Sequence, residues 1–294
     1  MPQEKITLRQ RIQSGKRIIL SEIAPPADAN AAYVKDLAKE LAGKVHAVGI
    51  SDNRNAIRMS ALAAASIAVG EGVETILHMA TRDKNRAALV SDCLGAHALG
   101  IYNILCTSGT HQSLLPFSTV KNVYDIDATV LLQSCKEIEK EKKLQQPFCL
   151  GAVVSPFADP VELQLVRMAQ KIHVGSCFVI TQPVFDRERF TAWCENVVSR
   201  HLHEKAACIA GIRVLTDVRR AKEFAASRPL PMVPDSVIGR LEKSKDARKE
   251  GIALACETVD GVLSTEGIRG VEIVCEEDQS AAIEVLQHVK SELE

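Results

Sequence analysis

Arg17-Ile18-Ile19-Leu20-Ser21-Glu22, a helical pattern from about Ala29 to Leu41, and a second apolar run from Val45 to Ile50 decide the fold. The outer runs are short and rich in branched apolar residues, which suits buried strands. The middle segment has helical length. Strand, helix and strand in this order form a crossover unit, whose two strands lie parallel. The same alternation continues outward. A helix begins near Asn55, a third strand runs from Val73 to His78, and Asp83 can cap the helix after it. Gly100 to Leu105 reads as the fourth strand, and Val130, Leu131, Cys135 and Ile138 mark one face of the next helix. The charged run Glu137 to Lys143 turns to water.

Phe148 to Val154 is the fifth strand. After Pro160, Val161, Leu165, Met168 and Ile172 recur at helical spacing. Ser176 to Thr181 and Ala207 to Ile212 read as strands six and seven, with a helix starting near Arg187 between them. A polar, proline-broken stretch with further helix fills Thr216 to Thr258, and its Arg228 to Asp235 segment is the weakest candidate boundary. Gly270 to Val274 is strand eight, closed by a helix carrying Ile283, Leu286 and Val289. Eight such units imply a (β/α)₈ TIM barrel, one α/β domain over residues 1–294. An open doubly wound sheet is the alternative, but the GxGxxG loop it often carries is absent.

Composition bounds the function. A net charge of -1 on 294 residues gives no electrostatic case for nucleic acid. No apolar run has the length of a membrane span, and the N-terminal residues lack the apolar core of a secretory signal, so a cytoplasmic location is expected. The nine cysteines are scattered without CxxC or Cys/His clusters. They indicate neither a disulfide framework nor a zinc site, and most are expected to be small buried hydrophobes.

In a barrel of this kind, chemistry gathers where strands end. Glu22, before the stiff Ala24-Pro25-Pro26 turn, could be a general acid whose pKa burial raises, or a solvated or structurally paired carboxylate. Asp52 follows strand two. His78 ends strand three and could equally be a hydrogen-bonded core residue. Thr107-Ser108-Gly109-Thr110-His111 offers backbone N–H groups and hydroxyls to a phosphate or heteroaromatic ring, though turns use the same residues. Gln182 can orient a heterocycle and Phe185 can stack on one; the alternative makes Phe185 core and Asp186 a helix cap.

These residues resemble the methylenetetrahydrofolate reductase family, flavoproteins built on a (β/α)₈ barrel. The resemblance covers nearly the whole chain. It rests on Glu22 with the prolines that follow, Leu77-His78-Met79-Ala80-Thr81-Arg82-Asp83, Asn103-Ile104-Leu105 before the Gly109 loop, and Gly267-Ile268-Arg269-Gly270-Val271. Ile180-Thr181-Gln182-Pro183-Val184-Phe185-Asp186 is the most specific match. The resemblance implies hydride transfer from reduced flavin, FAD or FMN, to 5,10-methylenetetrahydrofolate, giving 5-methyltetrahydrofolate. Glu22 matches the acid that protonates the departing ring nitrogen. Gln182 and Phe185 match folate-holding positions. His78 and Lys171 match flavin contacts, and Asp52, Ser108, Gly109, Thr110 and His111 are expected around the same cofactor.

Two segments depart from the family pattern. Ser108-Gly109-Thr110 stands where the family has Arg-Gly-Asp, replacing a carboxylate near the flavin N1 region by a hydroxyl. Negative charge there disfavours the anionic hydroquinone, so Thr110 is expected to raise the flavin potential relative to relatives carrying Asp. A potential at or below theirs, by spectroelectrochemistry, contradicts this. Ser51-Asp52-Asn53-Arg54 likewise replaces the usual residues after strand two. Similar departures occur in anaerobe-type relatives, which implies electrons from an iron–sulfur subunit rather than directly from NAD(P)H, and a chain that works as an oligomer or complex subunit. A proline dehydrogenase-like flavoprotein and a non-catalytic folate- or flavin-binding subunit are the competing readings.

Overall fold

A computed structural model describes residues 6–54, 56–114, 120–226 and 233–291. Eight parallel strands follow one another in chain order around a closed barrel: β1 (Ile18–Ile23), β2 (Ala47–Ile50), β3 (Thr75–Ala80), β4 (Asn103–Thr107), β5 (Cys149–Val154), β6 (Phe178–Pro183), β7 (Ala207–Arg213) and β8 (Ile268–Val274). The expected (β/α)₈ architecture is therefore observed. The helices are α1 (Leu8–Gln13), α2 (Ala31–Leu41), α3 (Ala61–Gly70), α4 (Arg86–Ala98), α5 (Ala128–Glu141), α6 (Val161–His173), α7 (Arg187–Ser199), α8 (Leu202–Lys205), α9 (Val218–Ala226), α10 (Asp235–Lys243), α11 (Ala247–Leu263) and α12 (Gln279–Ser291). The chain forms two compact units, Met1–Val153 with Gln170–Phe178, and Val154–Ala169 with Val179–Glu294.

In the first unit every residue of β1, β2 and β3 is buried, as strands covered on both faces require. Leu20 to Ile23 pair with Ala47 to Ile50, and Ile76 to Ala80 with Asn103 to Thr107. Helix α1, which the periodicity does not reveal, lies against the N-terminal strand ends. Its buried Leu8 donates its N–H to both Glu74 carboxylate oxygens (2.9 and 3.0 Å), and Asn103 Nδ2 donates to the same carboxylate. In the second unit β7 pairs with β8 from Cys208↔Ile268 to Arg213↔Val274, with an irregularity at Cys208/Ile209. Helices α9 and α10 and most of α11 fill the Thr216 to Thr258 stretch. Leu215, Ala221, Val233 and Leu241 form their small core. Most of the Arg228 to Asp235 boundary lies outside the described residues, and Asp235 itself opens α10.

Several expected boundaries move. β3 continues two residues past His78, which therefore lies within the strand rather than at its end. β6 includes Gln182 and Pro183. α3 starts at Ala61, not near Asn55, a residue outside the described set. The loop before it is held instead by Asn53, whose side chain accepts from the Arg58 N–H (2.9 Å). Asp83 does not cap α4. Asn85 does, accepting from Ala88 N at 3.0 Å, because the Asp83 carboxylate neutralises the guanidinium of buried Arg82.

Candidate active site

Glu22 is the next-to-last residue of β1, and its side chain is completely enclosed. The Arg54 guanidinium makes an ion pair with Glu22 Oε2, and His78 Nδ1 lies 3.8 Å from the same oxygen. Arg54 reaches this position from the loop after β2, where Asn53 takes a left-handed backbone (φ 43°). Burial, and then the Arg54 cation, push the His78 pKa down to about 3, so its ring is neutral at ordinary pH. Its Nε2 is buried with no hydrogen-bond partner among the described residues. An unmet polar atom of this kind is costly unless something bound there satisfies it.

Asp52 faces other partners. Its carboxylate accepts from Ala80 N (3.1 Å) and Lys84 Nζ (3.4 Å), and Lys84 also pairs with Asp92 (3.0 Å). Burial raises the Asp52 pKa against the opposing pull of Lys84. The side chain thus fastens the end of β3.

The Ser108–His111 loop is tied down from several directions. Ser108 Oγ accepts from Ala128 N (3.4 Å), at the start of α5. Gly109 has φ 78°, and a Cβ there would meet the Arg82 side chain at 3.2 Å. The Thr110 carbonyl accepts from Arg82 Nη1 (3.1 Å), while His111 stacks on Tyr124 with ring centroids 6.3 Å apart. Lys171, on α6, donates to the Val153 carbonyl at 2.7 Å at the end of β5. The first unit therefore brings Glu22 and His78 into one cluster, and secures Asp52, the Gly109 loop and Lys171 by separate contacts.

Gln182 and Phe185 belong to the second unit. Gln182 Oε1 is buried without a partner among the described residues. Asp186 caps α7, accepting from Arg189 N (3.0 Å), as the competing reading of that stretch expects. Phe185 packs edge-on against Phe224 (6.3 Å) and lines a cleft with Arg213, Val237, Arg240 and Glu257. Sequence reasoning passes over Arg54, Arg82 and Arg213. Arg213 is buried, pairs with Glu276 and Glu277 (3.0 Å each) and lies 4.4 Å above the Phe224 ring. Its signal is a charge closing an otherwise apolar strand.

The family model for methylenetetrahydrofolate reductase matches residues 7–290. The chain belongs to this family. Among its relatives, methylenetetrahydrofolate reductase 2 of Saccharomyces cerevisiae is 26% identical over 262 residues, covering 82% of this chain and 41% of the yeast protein. A probable methylenetetrahydrofolate reductase (NADPH) of Caenorhabditis elegans is 25% identical over 197 residues, covering 66% and 28%. The chain spans less than half the length of either. A Clostridium thermocellum protein that binds two copies of 5-methyl-5,6,7,8-tetrahydrofolic acid superposes with a TM-score of 0.67 at 13% identity, over 97% of this chain and 99% of that one. Oxaloacetate acetylhydrolase superposes at 0.56 and 11% identity, covering 98% and 85%. At such identities the structural likenesses show the shared fold. Membership in the methylenetetrahydrofolate reductase family sets the proline dehydrogenase-like reading aside. No helix among the described residues is long and apolar enough to cross a membrane.

Proposed function

We propose that the chain is a flavin-dependent reductase of 5,10-methylenetetrahydrofolate. The observation that carries this is the enclosed Glu22 carboxylate beside neutral His78, in a chain matched to the family from residue 7 to 290. The residues present fit a flavin, because His78 Nε2 is a buried polar atom in want of a partner. When bound, FAD or FMN supplies the hydride. His78, Ser108, Gly109, Thr110, His111 and Lys171 hold the cofactor. Asp52 contributes by fixing the end of β3, since its carboxylate is already engaged. Gln182 offers its unmet Oε1 to the folate heterocycle, and Phe185 offers ring surface.

Glu22 delivers the proton to the departing nitrogen, and in this structure its Oε2 is engaged by Arg54. An arginine in contact favours the ionised carboxylate. Arg54 must therefore turn outward before Glu22 carries a proton, and its side chain, 30% exposed, has solvent to turn into. Electrons come from NAD(P)H or from an iron–sulfur subunit, with the chain acting as an oligomer or a complex subunit.

The test is anaerobic stopped-flow mixing of photoreduced protein with methylenetetrahydrofolate. Rapid reoxidation with 5-methyltetrahydrofolate as product is expected, slowed on the order of 10²- to 10⁴-fold by Glu22→Gln. Bound flavin that never reoxidises points to another substrate. Protein that takes up no flavin, even on reconstitution, favours the reading as a non-catalytic binding subunit.

A further inference from the structure

At the opposite end of the first unit's strands, two cysteines that the proposed reduction does not use lie in contact. Cys149 opens β5 and Cys177 immediately precedes β6, and their sulfurs are 3.3 Å apart. The backbone holds them together, since Cys177 N donates to the Leu150 carbonyl at 2.8 Å. Cys149 is buried, whereas Cys177 beside it is only half-buried. Arg9, on α1, lies over this corner and donates from Nη1 to the carbonyls of Pro147 (3.0 Å) and Phe148 (3.2 Å).

We propose that Cys149 and Cys177 form a redox-active dithiol that small disulfides of the glutathione type oxidise. Cys177 is the attacking thiol. The Cys149 S–H directed at it, and then the Arg9 cation, lower its pKa, whereas Cys149 is held protonated. Cys177 Sγ can also donate to the Leu150 carbonyl (3.2 Å), a contact given up when the thiolate forms. The Cys177 thiolate attacks one sulfur of the oxidant, forming a mixed disulfide and releasing one thiol. Cys149 then loses its proton, attacks Cys177 Sγ and expels the second thiol. The protein loses two protons and two electrons, that is two hydrogen atoms, and the oxidant becomes two thiols.

The molecule supplies its own control. Cys93 on α4 and Cys135 on α5 are nearly as close, 3.5 Å, but both are fully enclosed. Proximity without access predicts that they stay reduced.

The experiment treats the reduced full-length chain with oxidised glutathione under anaerobic conditions, then blocks remaining thiols and maps the peptides. The expected result is loss of two hydrogens from the intact mass, with one link joining the Cys149 and Cys177 peptides. Cys149→Ser should instead accumulate glutathione on Cys177. A link between Cys93 and Cys135, stable glutathione on Cys177 of the unsubstituted chain, or no change in mass overturns the proposal. The unsubstituted chain alone decides, so a variant that folds poorly does not blunt the test.

Discussion

His78 shows how burial turns an ordinary side chain into a marked one. Its pKa near 3 lies well below the 6.5 of an unperturbed histidine, because the ring is enclosed and Arg54 is close by. Between these values the unfolded chain binds a proton there and the native chain does not. Stability from His78 is therefore complete above about pH 6.5 and falls as the pH drops toward 3. His78→Gln cannot titrate, and should lose less stability over that window, by as much as several kcal/mol. Urea unfolding at a series of pH values compares the two; parallel profiles would show that the native ring takes up its proton normally. Glu22 and His78 were legible as polar residues near the ends of apolar strands. Arg54 was not, because its partner is 32 residues away on another strand and nothing in Ser51-Asp52-Asn53-Arg54 marks the pairing.

Three loops depend on one guanidinium. Arg82 lies two residues beyond the end of β3 and is 1% exposed. It donates to the Asn53 carbonyl (2.9 Å) in the loop after β2, to the Thr110 carbonyl (3.1 Å) in the loop after β4, and to both oxygens of Asp83 (2.7 and 2.6 Å). Arg82→Met keeps much of the apolar stem but leaves two carbonyls and a carboxylate to find other partners. Breaking a buried charged pair from one side typically costs about 3–5 kcal/mol. Hydrogen exchange should accelerate in residues 51–54 and 108–114 together. Unchanged exchange in either loop would mean that Arg82 does not couple them. The sequence finds a loop after each of these strands, but it ends β3 and β4 two residues early, starts α3 near Asn55 and assigns Asp83 to a helix cap. Local capping rules see only neighbours along the chain, and a buried cation claimed the carboxylate first.

The whole barrel was readable because its strands are enclosed on both faces and so stand out as apolar runs between helices. Strand ends were less readable. β3 and β6 each extend two residues beyond the expected strands, through Met79-Ala80 and Gln182-Pro183. Closing a barrel also demands that large interior residues face small ones, and periodicity is blind to that requirement. Gly151 on β5 is such a place. A Cβ there would fall 2.2–2.7 Å from three ring atoms of Phe178, a residue with no exposure at the start of β6. The ring is the rigid end of a short side chain in a filled interior, so it cannot swing away as a lysine would. Gly151→Ala should therefore destabilise the fold by about 1–3 kcal/mol through overpacking, despite adding only one methyl group. Phe178→Leu in the same chain should restore part of the loss by making room, although Phe178→Leu alone removes buried surface. Thermal unfolding of the three variants gives the coupling directly. Losses that simply add would show that the two side chains do not compete for the same space.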